Sequence, residues 1–330
     1  MKTNFIKIAC VILLAGIALI LGCKKDNSAQ PTTSTTQNNN SNTNTDNYSS
    51  MSSFFAQNGV PAQTYTVNAA SGVSFTTLQG TKVHIPANVF YNKAFQLVTG
   101  AVTITFKDIY KKSDMLLSNI PTNVYSGAPL KSGGEFFIKA SQGGQALLLG
   151  NAITVNQPCM SPVDSNMHTF IGGGNNGWVA GNDSNSNLST VKDSSNSNYY
   201  EDYVFSLYQF SNPVDSGSWC NSDNAQYFSA YPQTALTVQE SDDPAIYGTY
   251  VFLVFKNINA MVHVYNGQNY TFPYNYAPVG LQCTVVAVGI KGGKVYSSFT
   301  PITISANQTI TFSMSETTTA NFKSQLAALN

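Results

Sequence analysis

The chain has 330 residues, with 16 Lys and Arg positions balanced by 16 acidic ones and only 10% charged residues. Every one of those bases is Lys, and a chain without guanidinium forks is poorly equipped to read bases or clamp phosphates, which argues against nucleic-acid and nucleotide partners. With 18 Tyr and 19 Phe among abundant Thr, Ser, Asn and Val, the composition suits half-buried pleated surfaces and predicts an all-β protein.

Lys2 and Lys7 open the chain, and residues 8–21 form an apolar run. That run is shorter than the roughly 20 residues that cross a hydrocarbon core, and with its basic start it has the pattern of a secretory leader. Ile20-Leu21-Gly22-Cys23 resembles the lipobox of bacterial lipoproteins, which implies a leader over residues 1–22 and lipidation of Cys23. Lys24-Lys25-Asp26 resembles the charged export signal of Bacteroidetes surface lipoproteins. The implied location is the outer membrane, lipid-anchored and facing the cell surface, with the periplasmic face as the alternative. Residues 23–53 are nearly all Ser, Thr, Asn and Gln, too polar to offset their ordering entropy, and are predicted to be a disordered tether.

Residues 54–162 are expected to form a first β-sandwich. Val102, Ile104 and Phe106 alternate with Thr103, Thr105 and Lys107, the period of a half-buried strand. Glu135-Phe136-Phe137-Ile138-Lys139-Ala140 and Ala146-Leu147-Leu148-Leu149 are separated by Gly143-Gly144, which predicts a hairpin. Gly80-Thr81-Lys82-Val83-His84-Ile85-Pro86-Ala87-Asn88-Val89-Phe90, Gly100-Ala101-Val102-Thr103-Ile104 and Leu130-Lys131-Ser132-Gly133-Gly134 together resemble the ZU5-like sandwich. They are similar, in particular, to a group of uncharacterised Bacteroidetes surface lipoproteins built on that domain. Some relatives of this domain cleave themselves at a His-Phe-Ser step; that tripeptide does not occur here, so the activity does not carry over.

Residues 163–244 read as an irregular connecting segment with one strand at Tyr203-Val204-Phe205-Ser206-Leu207-Tyr208. Trp219-Cys220-Asn221-Ser222-Asp223 resembles, in altered order, a Trp–Asn–Cys–Asp signature of the same lipoprotein group. Residues 245–314 are predicted to form a second, immunoglobulin-like or carboxypeptidase-regulatory-like sandwich. Its buried strand is Tyr250-Val251-Phe252-Leu253-Val254-Phe255, and hairpins are expected at Asn266-Gly267 and Gly292-Gly293. Residues 315–330 close the chain as a short helix carrying Phe322, Leu326 and Leu329 at helical spacing.

The chemistry-bearing residues are scattered. His84, His168 and His263 are isolated, with no HExxH or CxxC to gather a metal and no GxSxG elbow for a hydrolytic serine. Glu135, Glu201, Asp202, Glu240, Asp242 and Asp243 are the carboxylates from which a glycosidase pair would have to come. Asp183-Ser184-Asn185-Ser186-Asn187 alternates oxygen ligands but lacks the turn glycine and closing glutamate of a calcium loop. Of the mature cysteines, Cys283 shares parity with Leu281 and Val285 on a core face, so the candidate disulfide is Cys159 with Cys220, and the alternative is no disulfide. Tyr265, Tyr270, Tyr274 and Tyr276 crowd one region and are the candidate binding aromatics, since tyrosine offers a flat apolar face and a polar tip.

The expectation is therefore a non-catalytic envelope or cell-surface lipoprotein acting in binding, adhesion or envelope assembly. It is held to the membrane by its lipid, takes a protein or glycan ligand, and uses no cofactor or metal. A glycan-binding accessory of a polysaccharide-uptake system and a hydrolase with dispersed acidic residues are the alternatives.

Overall fold

In a computed structural model, residues 34–35, 46–159, 163–172, 177–181, 186–192, 201–207, 218–242 and 247–330 are described. The leader, Cys23 and Asp183-Ser184-Asn185 lie outside them. Four sheets stack face to face with three apolar cores between them, an all-β sandwich architecture.

The outermost sheet has the order Ser186–Lys192, Glu201–Leu207, Ile153–Gln157, Lys82–Ile85 and Val73–Thr76. It packs on a larger sheet whose central strands are Gln63–Asn68, Ala101–Ile109, Lys131–Gln142, Ser218–Asn224 and His168–Gly172. Val102, Ile104 and Phe106 meet Val83, Val155 and Phe205 in the core between them, as their alternation requires. Asp108 shares that inward parity and is buried. It is satisfied there by Gln63 Nε2 at 3.1 Å and by the hydroxyls of Thr77 and Thr81.

The second sandwich pairs a five-stranded sheet with a three-stranded one. The first has the order Met261–Val264, Tyr250–Phe255, Gln282–Lys291, Lys294–Thr303 and Ser315–Thr317. The second joins Thr271–Pro278, Gln233–Glu240 and Gln308–Phe312. Tyr250–Phe255 is buried on both faces: Val251, Leu253 and Phe255 point into this sandwich, Phe252 and Val254 out of it. That outward face is the second sandwich's half of a third core. Helices α1 (Met51–Asn58), α2 (Lys112–Leu117) and α3 (Thr319–Ala327) fill it, placing Phe54, Leu116 and Phe322 against Ile109, Phe252 and Val286. The two sandwiches are thus joined through a continuous apolar layer. No helix among the described residues is long and apolar enough to cross a membrane.

Several expectations are revised by these contacts. Residues 163–244 are not a mere connector: they supply strands to both sandwiches, including Ser218–Asn224 in the middle of the large sheet. The expected tether gives way to ordered chain before residue 54. Asp46 accepts hydrogen bonds from the Thr319 amide (2.9 Å) and hydroxyl (2.6 Å), Ser50 caps α1, and Met51 and Phe54 are buried. Ser34–Thr35 also pair with Gln63 and Thr64. The terminal helix begins at Thr319, capped by Thr318, because Ser315–Thr317 continues the sheet beside Val295.

The hairpins at Gly143-Gly144 and Gly292-Gly293 form as expected, with Gln142 opposite Gln145 and Lys291 opposite Lys294. The Asn266-Gly267 hairpin does not. Met261–Val264 and Thr271–Pro278 belong to different sheets, and the positive φ values fall at Asn269 (55°) and Tyr270 (60°).

Candidate functional site

Strand parity builds the site. Phe106, Phe136 and Cys220 point into the first core, so their neighbours Lys107, Phe137 and Trp219 point out of it. Lys107 lies directly opposite Phe137, and Phe137 opposite Trp219, so the three form one row across three strands. The Phe137 and Trp219 rings are 5.4 Å apart. Facing this row are α1 and the edge of the second sandwich, where Phe55 meets Tyr250 edge-on at 5.1 Å. Trp219, Tyr250, Phe55, Lys107, Ser118 and Asn119 line the cleft between them, a cavity of about 350 Å³. Burial lowers the proton affinity of Lys107, so its ammonium stands partly desolvated beside the rings.

An aromatic ladder continues from Tyr250. His263 stacks on it at 5.1 Å with planes 6° apart, and also contacts Phe252 and, at 4.4 Å, Tyr265. Burial pushes the His263 imidazole down to about 4, so it is neutral at ordinary pH. Of the expected aromatics, Tyr265 and Tyr270 are each 46% exposed and Tyr276 is 36% exposed. Tyr274 is only 5% exposed and faces the second core, so it is no surface contact; burial raises its hydroxyl well above the usual range. Trp219 carries the cleft, yet its neighbours in sequence give no sign of it beyond the inward–outward alternation around Cys220.

Neither Cys159 nor Cys220 is disulfide-bonded; both are buried thiols lining the first core, and burial raises the Cys220 thiol far above its usual range. Cys283 sits in the second core as its parity predicts, and burial pushes it up to about 12. His84 is exposed, its Nδ1 2.9 Å from the Ser74 hydroxyl, and His168 is exposed on its strand. Among the described residues no three His, Cys, Asp or Glu side chains converge.

Among the described residues the carboxylates named from sequence do not gather either; Asp243 and the Glu201 side chain lie outside them. Glu135 is in the large sheet, Asp202 in the outermost sheet and Glu240 in the three-stranded sheet, all buried, whereas Asp242 is exposed. Glu135 instead meets Asp223, a residue that sequence reasoning treated only as part of a motif. Both are 0% exposed; hydrogen bonds from Ser132 and Asn221 temper the rise in proton affinity at Asp223, whereas neither oxygen of Glu135 has a hydrogen-bond partner. Burial raises both proton affinities strongly, and the charge of Asp223 raises that of Glu135 further. An isolated carboxylate in such surroundings costs several kcal/mol when ionised, so this pair does not carry two charges unaided.

No family model matches the chain, and no curated protein matches it.

Proposed function

We propose that this chain is a non-catalytic, lipid-anchored envelope protein of the cell surface that binds its partner in the cleft between its two sandwiches. The cleft carries the reading: the half-buried Trp219 and Tyr250 line it, with a partly desolvated Lys107 and the polar Ser118 and Asn119 beside them. Aromatic platforms with a few polar groups suit ligands that have an apolar face and a polar rim. The sandwiches meet in a common core, so the two cleft walls are held by packing rather than by a flexible linker. Support for the anchor comes from the Cys23 lipobox, and support for surface display from Lys24-Lys25-Asp26 and the ZU5-like resemblance.

The cleft favours a glycan as the ligand, because sugar rings stack on aromatic faces while their hydroxyls take side-chain amides and ammonium groups. A hydrolase has less support, since Glu135, Asp202 and Glu240 stand in three different sheets. The test is tryptophan emission of the mature protein titrated with soluble polysaccharides, together with its retention in polysaccharide-containing gels. Saturable quenching and retention, both lost in Trp219→Ala, are expected; indifference to every polymer defeats the glycan reading. For the anchor, Cys23→Ser should move the protein from the membrane to the soluble fraction.

A further inference from the structure

The cleft between the sandwiches carries charge of one sign only. Lys107 is the one cation among the residues that line it, and none of them is Asp or Glu. Its sequence neighbour Asp108 points the other way, into the first core, where Gln63, Thr77 and Thr81 take its oxygens. Glu135 shares the outward face, one step along the strand from Phe137. It is fully buried, lies outside the cleft lining, and is held toward its neutral form by burial and by Asp223. The ion pairs among the described residues belong to other lysines, Lys82, Lys131 and Lys294, and burial is the influence that shifts the Lys107 ammonium. A partly desolvated charge in that position is costly until an anion reaches it.

The facing wall adds a donor. The ends of α1 and α2 meet there at a distance that a glycine allows: a Cβ on Gly59 would lie 3.0 Å from Ser118 Cα. The Val60 amide donates to Ser118 Oγ at 3.0 Å, which uses the hydroxyl as an acceptor and leaves its proton to donate. The carbonyls at the two helix ends offer little to a cation, because most are already taken. Phe54 and Phe55 accept from Asn58 Nδ2 and the Gly59 amide, Asp114 and Leu116 from the Ser118 and Asn119 amides. Donors beside half-buried aromatic side chains, with no competing carboxylate, suit a sugar that itself carries a carboxylate. A neutral sugar would answer the ammonium with hydroxyls alone.

We propose that the cleft selects acidic polysaccharides, taking a uronate carboxylate on Lys107 with the sugar ring against Trp219 and Tyr250. This rests on the glycan reading of the cleft and names the class of glycan. The test titrates the tryptophan emission of the full mature protein with polygalacturonate and alginate, and with both polymers after carboxyl reduction, which keeps the rings and removes the charge. At low salt an acidic polymer is expected to bind about tenfold tighter than its reduced form, a difference that shrinks as salt is raised. Lys107→Met should abolish the preference while the reduced polymer still quenches, and Lys107→Arg should keep it. Melting midpoints report whether each variant is folded, and the comparison of acidic with reduced polymer on the unmutated protein stands without either. Equal affinity for the two forms, or a preference that survives in folded Lys107→Met, overturns the proposal and leaves the glycan reading standing. Displacement of the bound uronate polymer by polyglutamate at equal charge overturns it in favour of an acidic peptide. Indifference to every polymer, acidic or reduced, defeats the glycan reading and the proposal with it.

Discussion

Lys112 Nζ donates a 2.6 Å hydrogen bond to the Phe255 carbonyl, so a lysine of α2 ends on the main chain of the second sandwich. Burial lowers its ammonium from 10.5 to about 8. Between those values the unfolded chain holds more protons at this residue than the folded protein does. Its contribution to stability therefore increases with pH across that window, and its burial cost is fully present below about 8. Replacing Lys112 by Met removes that slope. Melting midpoints measured for both proteins from neutral to alkaline pH check it: their difference must change across the window, and a constant difference rules the assignment out.

His263 gives a dependence of the same sign in a lower pH window. Its folded value is about 4 against 6.5 for a free imidazole, so the unfolded chain holds more protons in between. Stability is lost as pH falls through that interval, by about 3 kcal/mol if the whole difference is realised. His263→Phe keeps a ring between Tyr250 and Tyr265 and should be less sensitive than the unmutated protein to acid in that range. Denaturant midpoints at pH 7 and pH 4.5 make the comparison.

The shared third core predicts that the sandwiches unfold together. Phe252 is fully buried in it, on the face of Tyr250–Phe255 opposite Val251 and Leu253. Truncating a buried Phe to Ala in a well-packed layer costs about 3–5 kcal/mol. Phe252→Ala should therefore lower the midpoint and separate one cooperative transition into two, since each sandwich retains its own inner core. Calorimetry decides this; a single undiminished peak in the variant means the layer contributes little.

The parts of this fold that were legible in the sequence are those fixed by local rules. Val102, Ile104 and Phe106 alternate and are all buried; Gly292-Gly293 turns a hairpin with φ of 57° and 82°. Asn266-Gly267 carried the same kind of signal, but Val264 and Thr271 enter different sheets, so the segment has to cross the sandwich instead of folding back. Gly267 there serves close approach: a Cβ would lie 2.9 Å from the Pro273 ring. The strands of residues 163–244 were obscured because Asn221, Ser222 and Asp223 are polar yet buried, a pattern that reads as loop. The cleft was harder still. Lys107, Phe137 and Trp219 come together only through the register of three strands, which no one segment encodes.

The cysteines give the last expectation. Cys159, Cys220 and Cys283 are all buried thiols, two in the first core and one in the second. A thiolate is the reactive form, and burial holds Cys220 and Cys283 almost wholly protonated, so reagent has neither access nor a nucleophile. The native mature protein should therefore gain no mass from iodoacetamide at these positions. Unfolding in denaturant without reductant should let all three react, whereas a Cys159–Cys220 disulfide would leave only Cys283 reactive until reductant is added. Peptide mass mapping before and after reduction separates the two, and it tests whether the first core is closed by packing alone.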